Sequence, residues 1–178
     1  MRRLVLLVPA LAAAVSVTAG CAPAPQPAAP SATPSPSSAA PADLPAAPEP
    51  SAGGPCPYLT NSFVSDANGQ KISKVKTSAD KPHPSCFFYA LNGKIQLTVR
   101  VYVGSADVAK GLVDQAAPVS SSNPATEPTG WQGGYQAAGE GAVYAVGKGS
   151  SAVIVTTNQK QSVKARKVTE QAIGALKL

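Results

Sequence analysis

Between Ala22 and Pro55 the chain is almost wholly Ala, Pro and Ser; Asp43 and Glu49 are its only charges and Leu44 its only large apolar residue. Such a stretch has too little apolar surface to offset the entropy of ordering it, so it reads as a disordered stalk with polyproline II character. Its 34 residues would span on the order of 100 Å if fully extended at about 3.1 Å each. The hydroxyls of Ser31, Thr33, Ser35, Ser37 and Ser38 are acceptors of the kind that O-glycosylated stalks use. The core must then come from residues 56–178, a length of 123. That is enough for one hydrophobic core and not for two.

The segment before the stalk bears on the compartment. Arg2 and Arg3 open the chain, residues 4–17 form an apolar run, and Thr18-Ala19-Gly20 lead into Cys21. Charged, apolar and small segments in that order are the layout of a secretory signal. With cysteine at the cleavage point, the segment resembles the signal of bacterial lipoproteins. The resemblance implies that the Cys21 thiol takes a diacylglyceryl group and that residues 1–20 are removed. The protein would then be anchored to the extracytoplasmic face of the cell membrane through its acylated N-terminus. Thr18 stands where that family usually has Leu or Val. Two other readings share the segment. A membrane-spanning anchor needs about 20 apolar residues, whereas residues 4–20 are 17 long and include Pro9, Ser16 and Thr18. An ordinary signal cleaved after Ala19 or Gly20 would leave Cys21 a free thiol. Arg2-Arg3 lacks the neighbours of a twin-arginine signal, so general secretion is expected.

Export leaves Cys56 and Cys86 as one pair in an oxidising compartment, and a structural disulfide between them is expected. It closes a loop of about 30 residues, worth roughly 3.5 kcal/mol by chain entropy. Two isolated cysteines and the single histidine, His83, do not make the ligand set of a zinc site, so no metal or other cofactor is expected. Residues 56–178 carry 13 Lys and Arg against 7 Asp and Glu, a net charge of +6. Most of it is dispersed Lys, unlike the clustered Arg and stacking aromatics of a nucleic-acid binder. A basic surface facing an anionic envelope, or solubility alone, accounts for it.

The rest of the pattern predicts an α+β fold: a single antiparallel sheet of about six strands with two helices packed on it. Residues 71–76 alternate loosely and residues 86–91 are apolar and aromatic. Asn92-Gly93 is a hairpin turn, and residues 95–103 alternate cleanly. Ile95, Leu97, Val99, Val101 and Val103 should face one way, with Gln96, Thr98, Arg100 and Tyr102 facing the other. Ser105 can cap a helix that Pro118 ends, and residues 118–130 read as loop. Residues 131–137 read as a strand interrupted at Gly133-Gly134. Residues 142–146 and 151–157 read as a hairpin around Gly147-Lys148-Gly149. Residues 162–178 read as a helix with Val163, Val168, Ala172, Ile173 and Leu176 inward and Arg166 among its outward residues. The two halves echo each other in element order.

The Cys56-Pro57-Tyr58-Leu59 start, Pro84-Ser85-Cys86-Phe87-Phe88 and the strand Val99-Arg100-Val101-Tyr102 are similar to those of actinobacterial envelope lipoproteins that carry a conserved domain of unknown function. The resemblance covers most of residues 56–178 and carries no activity with it. The element order is similar to the PsbP-like fold of some other envelope lipoproteins.

Nothing in the pattern assembles a catalytic set. His83 sits between two prolines, and Asp80, Asp107, Asp114, Glu127, Glu140 and Glu170 are scattered. Asp66-Ala67-Asn68-Gly69 echoes the start of a calcium loop, but Thr77 occupies the position where such a loop needs Glu, so a turn is expected. Trp131, Tyr135 and Tyr144, set among glycines, are candidates either for the core of the sheet or for a surface that stacks a sugar or glycolipid. The leading expectation is a non-catalytic surface lipoprotein that binds an envelope protein or glycolipid. The alternatives are a lipid carrier with an internal apolar pocket and an envelope hydrolase. A Cys21→Ala variant should fail to incorporate labelled palmitate and should leave the membrane fraction; a variant that still takes label would remove Cys21 as the acylation site.

Overall fold

The computed structural model describes residues 43–178. Cys21, the signal segment and residues 22–42 of the stalk lie outside the described residues. From Ala52 onward the elements are β1 (Ala52–Gly53), α1 (Asn61–Asn68), β2 (Ile72–Thr77), β3 (Cys86–Ala90), β4 (Ile95–Val103), α2 (Ala106–Ala116), β5 (Asn123–Ala125), β6 (Gln132–Ala138), β7 (Gly141–Lys148), β8 (Ser151–Thr157) and α3 (Ser162–Leu176). The strands form one antiparallel sheet in the order β1-β2-β3-β4-β8-β7-β6-β5. Among the described residues the fold is α+β as expected, with eight strands rather than about six and three helices rather than two. The two extra strands are too short to alternate, and β5 contains Pro124, which reads as loop; an edge strand tolerates a residue without an N–H.

The last strands of the two halves, β4 and β8, pair at the centre of the sheet, from Leu97↔Thr157 to Val103↔Ser151. Leu97, Val99 and Val101 of β4 and Val153 and Val155 of β8 turn to one face. There they meet Val64 of α1 and Ala165, Val168, Ala172 and Ile173 of α3. Tyr102 of β4 and Ala152 and Ile154 of β8 turn to the other face, where Ala109 and Val113 of α2 cover them with Val143 and Ala145 of β7. Cover on both faces explains why Ala142 to Val146 are buried without alternation. α2 begins as its sequence predicts, with the Ser105 hydroxyl accepting from the Val108 N–H at 3.3 Å.

α1 was hidden by its own ending. Asp66-Ala67-Asn68-Gly69 reads as a turn because Gly69 leaves the helix at φ 72°, a left-handed C-cap that glycine adopts without strain. Thr60 closes the other end, its hydroxyl accepting from the Phe63 N–H. Asn68 is completely buried and ties the elements together. Its side-chain amide donates to Gln96 Oε1 at 2.9 Å, its side-chain oxygen accepts from the Thr157 hydroxyl, and its carbonyl accepts from Lys164 Nζ at 3.0 Å. Gln96 donates in turn to the Lys71 carbonyl. The alternation rule puts Gln96 on the polar side of β4, and the structure buries it as a structural donor and acceptor. Ile95 and Val103, expected to face the core, are exposed at the strand ends. Val163 is likewise exposed in the first turn of α3, and Ala165 and, further along the helix, Thr169 are buried instead.

The stalk boundary also moves. Residues 43–55, expected to belong to the stalk, lie against the domain as a strap. Arg100 of β4 donates to the carbonyls of Pro45 and Ala46 at 3.0 and 2.9 Å. Leu44 sits against Gly111 of α2, 2.7 Å from where a Cβ would stand. The Ser51 N–H donates to the Thr77 carbonyl and β1 pairs with β2. Polyproline II backbone leaves its carbonyls free to accept, which is how a segment with Leu44 as its one large apolar residue can still be held. Burial lowers the pKa of Arg100 from its ordinary value, with Asp80 opposing the shift.

Directly after the strap, Cys56 is bridged to Cys86 at the start of β3, with Cα atoms 5.6 Å apart. The disulfide expected from the cysteine pair is present. Beside it Tyr58 is buried, its hydroxyl donating to the Pro84 carbonyl at 2.9 Å. Burial, and then the Asp80 charge, push the Tyr58 pKa well above its ordinary 10.0. In the unfolded chain this phenol ionises near pH 10, while in the fold it keeps its proton. Tyr58 therefore contributes stability that is full below about pH 10 and is lost as pH rises above it. Denaturant unfolding should show stability falling above about pH 10, and Tyr58→Phe should make that fall shallower; an unchanged slope would refute the assignment.

Candidate functional site

The residues singled out in the sequence separate in the fold. Trp131 precedes β6 and is 2% exposed within the main core. It is a packing residue, and its candidacy as a stacking surface ends there. Tyr135 of β6 and Tyr144 of β7 are direct cross-strand partners. Their rings stack with centroids 6.1 Å apart and planes 15° from parallel. Tyr144 is buried and donates to the Glu127 carbonyl at 2.8 Å. Burial raises its pKa, against the hydrogen bond to the Glu127 backbone and the Arg166 charge. Tyr135 is half-buried, and its hydroxyl has no hydrogen bond among the described residues.

The tyrosine pair belongs to an open groove of about 350 Å³. Pro124, Ala125, Thr126 and Glu127, from β5 and the loop after it, line it together with Ser162, Val163 and Arg166 from the first turns of α3. Arg166 lies one helical turn from Glu170, with Nε 3.4 Å from Oε1. That Nε is shielded from water and makes no hydrogen bond. Gln161, at the N-cap of α3, gives no side-chain hydrogen bond to the helix, and its first turn has no acidic residue. Arg166, Ser162 and Glu127 carry no signal as a group in the sequence. They are 35 or more positions apart from Glu127 to Ser162, and only the sheet order brings them together.

A second open groove of about 360 Å³ lies between α2 and the β6–β7 strands, lined by Val113, Ala117, Val119, Gly133 and Gly147. Its Lys110 is paired with Asp114 one turn along α2, and no aromatic ring reaches it. His83 lines neither groove. Among the described residues no three His, Cys, Asp or Glu side chains are grouped to hold a metal ion. No described helix is long and apolar enough to cross a membrane.

The chain belongs to the DUF2020 family, a domain of unknown function whose model matches residues 42–178. No curated protein matches it. The family match opens next to Asp43, the first residue of the strap, rather than at Cys56.

The groove depends on Tyr144 for its shape and on Tyr135 for its open surface. Tyr144→Phe leaves the Glu127 carbonyl without its donor and should cost about 1 kcal/mol in denaturant unfolding. Tyr135→Phe loses no internal hydrogen bond and should change stability by less than about 0.5 kcal/mol. Equal losses in the two variants would contradict this division.

Proposed function

We propose that this DUF2020 chain is a lipoprotein, held by a diacylglyceryl group on Cys21 at the extracytoplasmic face of the cell membrane. There its domain binds, without catalysis, an envelope glycolipid or protein in the tyrosine groove. The observation that carries the reading is the groove itself: a half-buried aromatic ring, stacked on a fixed partner, in a concavity that also holds a cation and hydroxyl groups. Concave sites with an apolar floor and a few convergent polar groups are the usual form of a binding site. The signal layout before Cys21 and the disulfide suit an exported protein. The actinobacterial setting suggested by the motifs belongs to the same reading.

Between Cys21 and Asp43 the chain has 21 residues, a reach of roughly 65 Å at about 3.1 Å each. That is long enough to hold the domain clear of the lipid headgroups. A photo-cross-linking residue at Val163, which is 46% exposed on the groove, should capture a reproducible envelope component in the cells that make the protein. The same residue at Leu91, 71% exposed on the β3–β4 turn, should not, and Tyr135→Ala should abolish the Val163 product. No product at Val163, or the same products at both positions, would overturn the proposal.

A further inference from the structure

We infer that the occupant of the groove is an uncharged sugar ring, the part of a larger envelope molecule that the domain recognises. The inference rests on the proposal that the groove is a binding site, and names what it binds.

The groove offers one aromatic face, from Tyr135, backed by the buried ring of Tyr144 at 6.1 Å. Because Tyr144 is fixed by its hydrogen bond to the Glu127 carbonyl, the platform is rigid before any ligand arrives. A flat ring of this kind suits the C–H face of a pyranose or furanose, which is apolar while its rim is hydroxylated. A ligand with hydroxyls around its rim needs donors and acceptors together, since each hydroxyl does both. The walls supply both. Arg166 is a donor, Glu127 brings acceptor oxygens, and Ser162 and Thr126 carry hydroxyls that do either.

The charges argue against an anionic ligand. Glu127 lines the groove, and the one guanidinium, Arg166, is already paired with Glu170, so a carboxylate or phosphate would have to compete with an existing carboxylate for it. The uncapped start of α3 adds only a partial positive charge. A long acyl chain fits no better, because the wall residues are mostly polar or charged and the apolar surface is confined to the rings, Pro124, Ala125 and Val163. The volume of about 350 Å³ lies near the small end of the roughly 300–1,000 Å³ of ligand sites, as one or two sugar rings require.

The test is ¹⁵N and aromatic NMR of the full chain in detergent, titrated with a panel of neutral hexose and pentose disaccharides, with glucuronate and with inorganic phosphate. Of the four arginines, at positions 2, 3, 100 and 166, only Arg100 and Arg166 stay in the chain once residues 1–20 are removed, so the Arg166 Nε–H signal can be assigned by its loss in Arg166→Lys. At least one neutral sugar should shift both the Tyr135 ring and the Arg166 Nε–H. Tyr135→Ala should weaken that sugar at least about tenfold, while Tyr135→Phe, which keeps the ring, should stay within about threefold. Shifts with glucuronate or phosphate but with no neutral sugar would overturn the inference. So would a panel without effect alongside a groove that still cross-links at Val163; in that case the groove reading stands and the sugar does not. A silent panel together with no Val163 product would remove both.

Discussion

The pairing of β4 with β8 is the contact on which the other layers depend. Each of these strands ends one half of the domain, and their seven register pairs join two four-stranded arrays into one sheet. Val99 lies opposite Val155 and Val101 opposite Val153, so the centre of the junction is a β-branched ladder turned toward α1 and α3. The polar knot of Asn68, Gln96 and Thr157 sits at one end of the same pairing. Its members would each carry a heavy desolvation cost if unpaired. That makes the register specific: a slip of one residue would place Gln96 in the apolar layer and strand Asn68 without partners.

The two faces of the sheet are finished by different means. α1 and α3 close one face, and α2 closes the other over β6, β7 and β8. Among the described residues no helix lies over the corresponding side of β2 and β3, and the strap of residues 43–55 runs beside them, giving backbone carbonyls to Arg100 of β4 and packing Leu44 on Gly111 of α2. Phe87, whose register partners are Lys76 and Thr98, is 4% exposed. A Pro- and Ala-rich segment is well matched to this task, since its backbone is already extended and loses little freedom on docking. The disulfide of Cys56 with Cys86 then fixes the point where the strap passes into the core, and shortens the chain that must be ordered around α1.

The candidate site occupies the opposite end of the sheet from the strap, where β5, β6 and β7 meet the start of α3. Its floor is part of the sheet and its walls are a loop and a helix end, so a rigid ring is bordered by side chains that can adjust. The arrangement explains why the three aromatic candidates do not act together. Tyr135 and Tyr144 alternate onto the same face from adjacent strands, whereas Trp131 lies before β6 begins and is drawn into the core.

The sequence alone determined whatever depends on neighbouring residues. The hairpin of β3 and β4, the Ser105 cap, the pairing of the only two cysteines after Cys21, and the α+β class all follow from local periodicity, turn chemistry and cysteine count. Long-range partners were beyond its reach. Gln96 and Asn68 look like surface residues until they find each other across 28 positions. Leu44 and Pro45 look like stalk until Gly111 and Arg100 receive them. Arg166 looks like one outward helix residue until the sheet order sets it beside the tyrosines. Each of these depends on which polar group or cavity a distant segment presents, and that is fixed only when the β4–β8 junction has placed both halves.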